Sequence, residues 1–323
     1  MFRQRALSAA IALPILYGLI FLDGFPWTYE LPLLLVVVVV SMCGAEELRH
    51  MLRGRGFSPP KDMGLMMGAL PPLFLYFYHY QQYNNVVLLG LSLAITVDVL
   101  VLALALIGDI SRRVSGRQKA SSETHAPDEP RQRKEAAEPP PHGGTVGALR
   151  DFVILAAGAL YVGGLLSSLL FLRRVDEAIA APWTGWPVAL IVAAVWIADT
   201  AAFAAGKLLD GPKLLPRLSP GKTIVGTVAG ICAAVIVFVV AAASGLFAGP
   251  FDIGLARAAA IGVAVGVAGL GGDLAESAVK RWAGVKDSGS LIPGHGGVLD
   301  RFDSLLWAAP VWFGLLTAAR HPF

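Results

Sequence analysis

Nine stretches of this chain run for close to twenty residues with hardly a charge, and no other feature restricts its fold as sharply. A helix needs about 20 apolar residues to cross the hydrocarbon of a bilayer, within a range of roughly 17–25. By that measure candidate spans fall at 6–22, 31–48, 63–80, 86–107, 152–172, 186–205, 223–247, 253–272 and 304–319. The second is the weakest, because Glu46 and Glu47 follow directly on Ala45. The composition agrees: 55% of the 323 residues are hydrophobic and 15% are charged, where a soluble domain would carry about 25% charged residues. The fold class is therefore all-α, a polytopic integral membrane protein of about nine transmembrane helices.

The placement of positive charge orients those spans. The head MFRQR ahead of the first run reads as the start of an uncleaved first span rather than a removed signal sequence. With that end in the cytoplasm, 22 of the 26 lysines and arginines fall on inside segments, and Arg173, Arg174, Arg257 and Arg320 fall outside. Inside loops carry the excess of basic residues in membrane proteins. The expectation is a multi-pass protein of the inner (plasma) membrane with a cytoplasmic N-terminus. The Arg173-Arg174 pair is the one discordant loop.

Residues 111–148 are a different material, rich in proline, serine and mixed charge, with no apolar period. Such a segment cannot bury a core and reads as a disordered cytoplasmic linker. His125 and His142 lie in it as solvated residues. The organisation is then helices one to four in 1–110, the linker in 111–148, and helices five to nine in 149–323 carrying the site. Cys43 and Cys232 stand far apart in apolar runs and read as small buried residues.

Against this oily background the run Gly272–Ser304 holds five carboxylates, with Lys280, Arg281 and Lys286 before Asp300 and Arg301 directly after it. Ionised groups within a membrane are costly and mark functional sites. On a helix Asp273, Glu276 or Ser277, and Lys280 share one face. Asp300 and Asp303 repeat the three-residue spacing at the start of the last span. Two helix ends thus each offer a pair of carboxylates, which suits hard divalent cations bound through oxygen. The basic set neutralises phosphates, and Pro293-Gly294-His295-Gly296-Gly297 is a turn whose backbone can approach an anion closely. A salt-bridged belt with a glycine turn would explain any one of these residues, but not the whole set together.

Two further acids interrupt spans. Asp98 has no motif around it, and a structural role is the simpler reading. Asp199 opens a run that leaves the membrane through Gly206-Lys207 and re-enters after Ser219-Pro220-Gly221-Lys222-Thr223. That pentapeptide sets a hydroxyl, a tight turn, a cation and free N–H groups at a helix N-terminus, a place where phosphate sits well. The spacing of a P-loop is absent.

These residues resemble a known family. Ser277, Lys280-Arg281, Lys286-Asp287-Ser288-Gly289, Leu291 through Gly297 and Asp300-Arg301-Phe302-Asp303 are similar to the signature of phosphatidate cytidylyltransferases, the CDP-diacylglycerol synthases. Asp199, Phe203, Gly206-Lys207, Ser219 through Thr223 and Gly226 resemble it as well. The likeness is specific over about 195–310, and the 111–148 insertion is unlike compact bacterial members.

The resemblance implies transfer of a cytidylyl group from CTP to phosphatidate, giving CDP-diacylglycerol and pyrophosphate with Mg²⁺. It also implies an all-helical membrane fold, a homodimer, and a second cation such as K⁺. Metal binding is expected at Asp273 and Asp300, with Glu276 and Asp303 beside them. The catalytic set is Asp273, Asp300, Lys280, Arg281, Lys286, Asp287, His295 (as a positioning residue) and Arg301. The substrate-binding set is Asp199, Lys207, Ser219, Lys222, Thr223, Ser277, Gly296 and Gly297. The lipid bilayer is the other partner, and nothing suggests nucleic acid. A CTP-dependent lipid kinase and a cation-coupled transporter are the alternatives, the latter lacking an inverted repeat of broken helices.

Overall fold

The computed structural model describes residues 18, 31–60, 63–81, 145–175, 185–247, 253–291 and 296–320. Helices are α1 (Leu31–Arg53), α2 (Met63–Gln81), α3 (Thr145–Leu166), α4 (Ser168–Val175), α5 (Trp186–Leu208), α6 (Ile224–Ala243), α7 (Gly254–Ala283) and α8 (Leu299–Arg320). Among the described residues six spans are long and apolar enough to cross a membrane: α1, α3 and α4 joined as Gly147–Val175, α5, α6, α7 and α8. The apolar part of α2 is shorter, Met63–Tyr76. The expected spans at 6–22 (Gly18 apart) and 86–107, Asp98, His125 and His142 lie outside the described residues.

Several ends differ from the apolar runs. α1 runs past the expected end at 48 to Arg53, with Glu46 paired with Arg49 at 2.5 Å and Glu47 bonded to another element. α3 starts at Thr145, inside the stretch assigned to the linker. Its first turns are anchored by Asp151, which accepts from the Ser58 N–H at 2.7 Å, and by Arg150 stacked over the Phe57 ring at 4.7 Å. The all-α expectation needs one amendment. Lys213–Leu215 (β1) and Ser219–Thr223 (β2) pair as an antiparallel hairpin between α5 and α6, with Lys213 opposite Thr223 and Leu215 opposite Ser219. Proline and glycine disfavour strands, but a two-stranded ribbon leaves edges where Pro220 needs no partner.

α1, α2 and α3 pack on one another, α5 through α8 pack in sequence, and α8 also touches α1, α3 and α4. Trp312 of α8 is fully buried against Trp186, Phe238 and Phe247, with its indole N–H on the Pro187 carbonyl at 3.1 Å. Outward-facing Leu35, Leu70, Ile236, Val240 and Val267 remain exposed. A belt of that kind is the lipid-facing surface of a multi-pass membrane protein. The C-terminal ends of α1, α5 and α7 meet the N-terminal ends of α3, α6 and α8 at one end of the bundle, through the Ser58–Asp151, Glu47–Val298 and Lys222–Asp273 contacts. Arg173, Arg174, Arg257 and Arg320 sit at the opposite end, while the other described basic residues sit at this one.

Candidate active site at the charged end of the bundle

α7 and α8 approach closely because of glycine. A side chain at Gly272 would run into the Asp303 carbonyl and the Ser304 backbone, so Asp273 comes to lie beside the first turns of α8. α7 ends at Gly284, whose φ of 76° is left-handed and whose N–H reaches the Lys280 and Arg281 carbonyls. Val285 N–H also bonds the Lys280 carbonyl at 3.0 Å, closing the helix as glycine C-caps do. The chain then turns back, and α8 begins at Leu299.

Three acids at this end are paired with two lysines. Lys222, carried on β2, forms an ion pair with Asp273. Thr223, next to it, caps α6, its hydroxyl oxygen accepting from the Gly226 N–H at 3.1 Å. Asp273 is also within 3.5 Å of the Ser277 hydroxyl. Lys280 lies between two acids, 2.5 Å from Glu276 Oε2 and 2.5 Å from Asp300 Oδ1. The second oxygen of Asp300 accepts from the Ser288 N–H at 2.9 Å, the Ser288 hydroxyl at 2.9 Å and the Gly297 N–H at 2.8 Å. Asp303 accepts from the Ser304 N–H at 2.6 Å and interacts electrostatically with Asp273, Asp199 and Glu276. Asp199 in turn feels Asp273, Lys222 and Arg301.

The structure thus brings together Asp199, Lys222, Asp273, Glu276, Ser277, Lys280, Asp300, Arg301 and Asp303. Gly296, at φ 82°, occupies a backbone conformation that suits glycine, and a side chain there would meet Asp300. Other expected site residues are at its margin. Lys207 lies over the Phe203 ring at 5.8 Å, and Ser219 is within the hairpin. Arg281 donates to the Leu218 carbonyl at 3.2 Å and the Val285 carbonyl at 3.1 Å, tying the hairpin to α7. Lys286 and Asp287 are exposed on the turn. His295 lies outside the described residues.

One residue of this site has no counterpart among the expected ones. Glu47, from α1, accepts from the Ser288 hydroxyl at 2.7 Å, the Val298 N–H at 2.7 Å and the Leu299 N–H at 2.9 Å. In the sequence it stands only as an acid at the end of an apolar run, with its partners about 250 residues away.

A divalent cation fits the donor set by chemistry. The oxygens are carboxylates, and Glu276 Oε1 is buried without a hydrogen-bond partner. Among the described residues no three His, Cys, Asp or Glu side chains converge to enclose an ion by themselves. Magnesium usually takes one or two carboxylates and completes its shell with water and phosphate.

Comparison with known proteins places the chain in context. The model of the cytidylyltransferase family matches residues 3–319. A phosphatidate cytidylyltransferase of Brucella suis biovar 1 (strain 1330) is 44% identical over 158 residues, 49% of this chain and 55% of that protein. One from Staphylococcus haemolyticus (strain JCSC1435) is 42% identical over 117 residues, 36% of this chain and 44% of the relative. One from Bacillus subtilis (strain 168) is 39% identical over 165 residues, 51% of this chain and 57% of the relative. The chain spans about half the length of the curated relatives it matches.

Proposed function

The chain belongs to the cytidylyltransferase family, and from that premise we propose that it transfers a cytidylyl group from CTP to phosphatidate, forming CDP-diacylglycerol for phospholipid synthesis. The observation that carries this reading is the pairing of Lys222 with Asp273 and of Lys280 with Asp300 at one end of membrane-crossing helices. Paired acids and lysines at the edge of a lipid-facing bundle suit a reaction between two phosphate-bearing substrates, one of them a lipid.

A phosphate oxygen of phosphatidate attacks the α-phosphorus of CTP. The bond from that phosphorus to the oxygen bridging to the β-phosphate breaks, and pyrophosphate leaves with the electron pair. The attacking oxygen is already an anion, so no strong base is needed. The barrier lies in bringing two polyanions into line, and cations lower it by offsetting charge in the transition state. Lys222 and Lys280 are 23% and 12% exposed at the side chain, open enough to exchange a carboxylate for a phosphate. Arg301, at the start of α8, offers a guanidinium suited to bidentate phosphate contact. Asp273, Glu276, Asp300 and Asp303 are the residues that would hold magnesium, which when bound neutralises and polarises phosphoryl oxygens. Asp300 would do so only by giving up Lys280.

The apolar faces beside the site let the acyl chains of phosphatidate stay in lipid while its headgroup reaches the lysines. The protein sits in the inner membrane, and the concentration of basic residues at this end supports a site facing the cytoplasm. The active unit is a homodimer, an assignment supported by the family resemblance.

The test is purified protein with phosphatidate and CTP labelled at the α-phosphate. The expected result is label in the lipid phase with one pyrophosphate released per lipid product, abolished by EDTA and restored by Mg²⁺. Release of CDP with phosphorylated lipid would assign a lipid kinase instead. Turnover that survives EDTA would remove the metal.

A further inference from the structure

Glu47 and its neighbour Glu46 divide their labour sharply. Glu46 turns to its own helix, with Arg49 at 2.5 Å and His50 at 3.2 Å. Glu47 is 8% exposed and reaches across to a segment about 250 residues later in the chain. Its Oε1 accepts the Val298 N–H, and its Oε2 accepts the Leu299 N–H. These are the first N–H groups of α8, which have no partner inside their own helix. α8 is thus capped by a carboxylate from α1, at the end where a helix favours negative charge.

The third bond makes the cap more than a fastening. The Ser288 hydroxyl lies 2.7 Å from Glu47 Oε2 and 2.9 Å from Asp300 Oδ2. A hydroxyl has one proton and serves one of these acids at a time. Asp300 in turn holds Lys280 through its other oxygen. A continuous series therefore runs from Glu47 through Ser288 and Asp300 to Lys280. The glycines around it make room for Glu47: a Cβ at Gly289 would sit 2.8 Å from Glu47 Oε1, and one at Gly297 would collide with Glu47 and Ser288.

We infer that Glu47 is a positioning residue for cytidylyl transfer, holding the turn between α7 and α8 so that Asp300 and Lys280 keep their working geometry. The inference rests on the reaction proposed above. It assigns α1 a part in the site that touches no substrate.

The test uses the full chain in lipid nanodiscs, with Glu47→Gln, Glu47→Asp and Ser288→Ala. Glutamine keeps the size but replaces one acceptor with a donor facing donors. Glu47→Gln is expected to lower kcat on the order of tenfold or more, leaving KM for CTP and phosphatidate within about twofold. Amide exchange at 297–299 should accelerate without substrate present. Glu47→Asp, which keeps the charge, should recover part of kcat, and Glu47→Gln combined with Ser288→Ala should cost less than the product of the two single losses. Faster exchange at 297–299 with wild-type kcat would overturn the inference, as would unchanged exchange. If Glu47→Gln does not insert, Glu47→Asp and Ser288→Ala carry the same readouts. A wild-type protein that makes no CDP-diacylglycerol would instead overturn the proposed reaction.

Discussion

The α7–α8 turn and the end of α1 both place buried acids at the same end of the bundle, and they satisfy them in opposite ways. Asp273 and Glu276 are met by lysine side chains, Lys222 and Lys280. Glu47 is met by two backbone N–H groups and a hydroxyl. A lysine is a mobile point charge that can move to a phosphate, whereas a backbone donor at a helix start stays where the helix is. The difference separates ions that a substrate can displace from acids that hold the frame. Asp300 belongs to both groups, one oxygen on Lys280 and the other on Ser288 and Gly297.

Asp300→Asn should therefore have the largest effect. The amide keeps the shape but cannot serve both the lysine and the two backbone donors. Turnover should fall on the order of 10² or more, and stability should fall by about 1–3 kcal/mol for buried donors left without an acceptor. Thermal melting and initial rates on the same preparation check both. A melt identical to wild type would place Asp300 with the displaceable ions alone.

Asp273→Asn sharpens the contrast from the other side. Its partner comes from a partly exposed hairpin lysine, and exposed ion pairs contribute little to stability. The expected outcome is a loss of turnover on the order of tenfold to a hundredfold with a melting temperature close to wild type. A large drop in melting temperature would show that Lys222–Asp273 is part of the frame.

Gly297→Ala presses on the frame directly. The added methyl meets Ser288 and Glu47, and overpacking of this kind costs about 1–3 kcal/mol. Turnover should fall roughly in step, about tenfold per 1.4 kcal/mol if the strain is borne by the active turn. Full activity with a lowered melt would uncouple the frame from the chemistry.

The sequence carried these two regions unequally. The α7–α8 turn was legible because its acids and bases are close in the chain and stand out against apolar neighbours. Glu47 was not, because an acid at the end of an apolar run reads only as a weakness of that span. Its reward comes from Val298 and Leu299, and a cap from so distant a helix has no local signature. The hairpin was hidden for a similar reason. Ser219-Pro220-Gly221-Lys222-Thr223 reads as a turn, and only pairing with Lys213–Leu215 and the Ile224 N–H on the Pro212 carbonyl make it a strand.

Arg281→Ala should give the smallest effect and tests the boundary of the site. Family resemblance puts Arg281 among the catalytic residues, yet its guanidinium is exposed and donates to the Leu218 and Val285 carbonyls. Those bonds join the hairpin that carries Lys222 to the end of α7. Charge-assisted bonds to backbone carbonyls contribute about 1.5–3 kcal/mol when shielded and less in water. Losing them loosens Lys222 without removing a charge from the paired acids. The expected loss of turnover is about twofold to fivefold, and Arg281→Lys, which keeps the charge but not the fork, should resemble alanine. If Arg281 instead grips a phosphate in the transition state, alanine should cost on the order of 10² and lysine, which keeps the charge but not the fork, should recover part of it. Rates of the two variants side by side separate a strut of the hairpin from a ligand of the substrate.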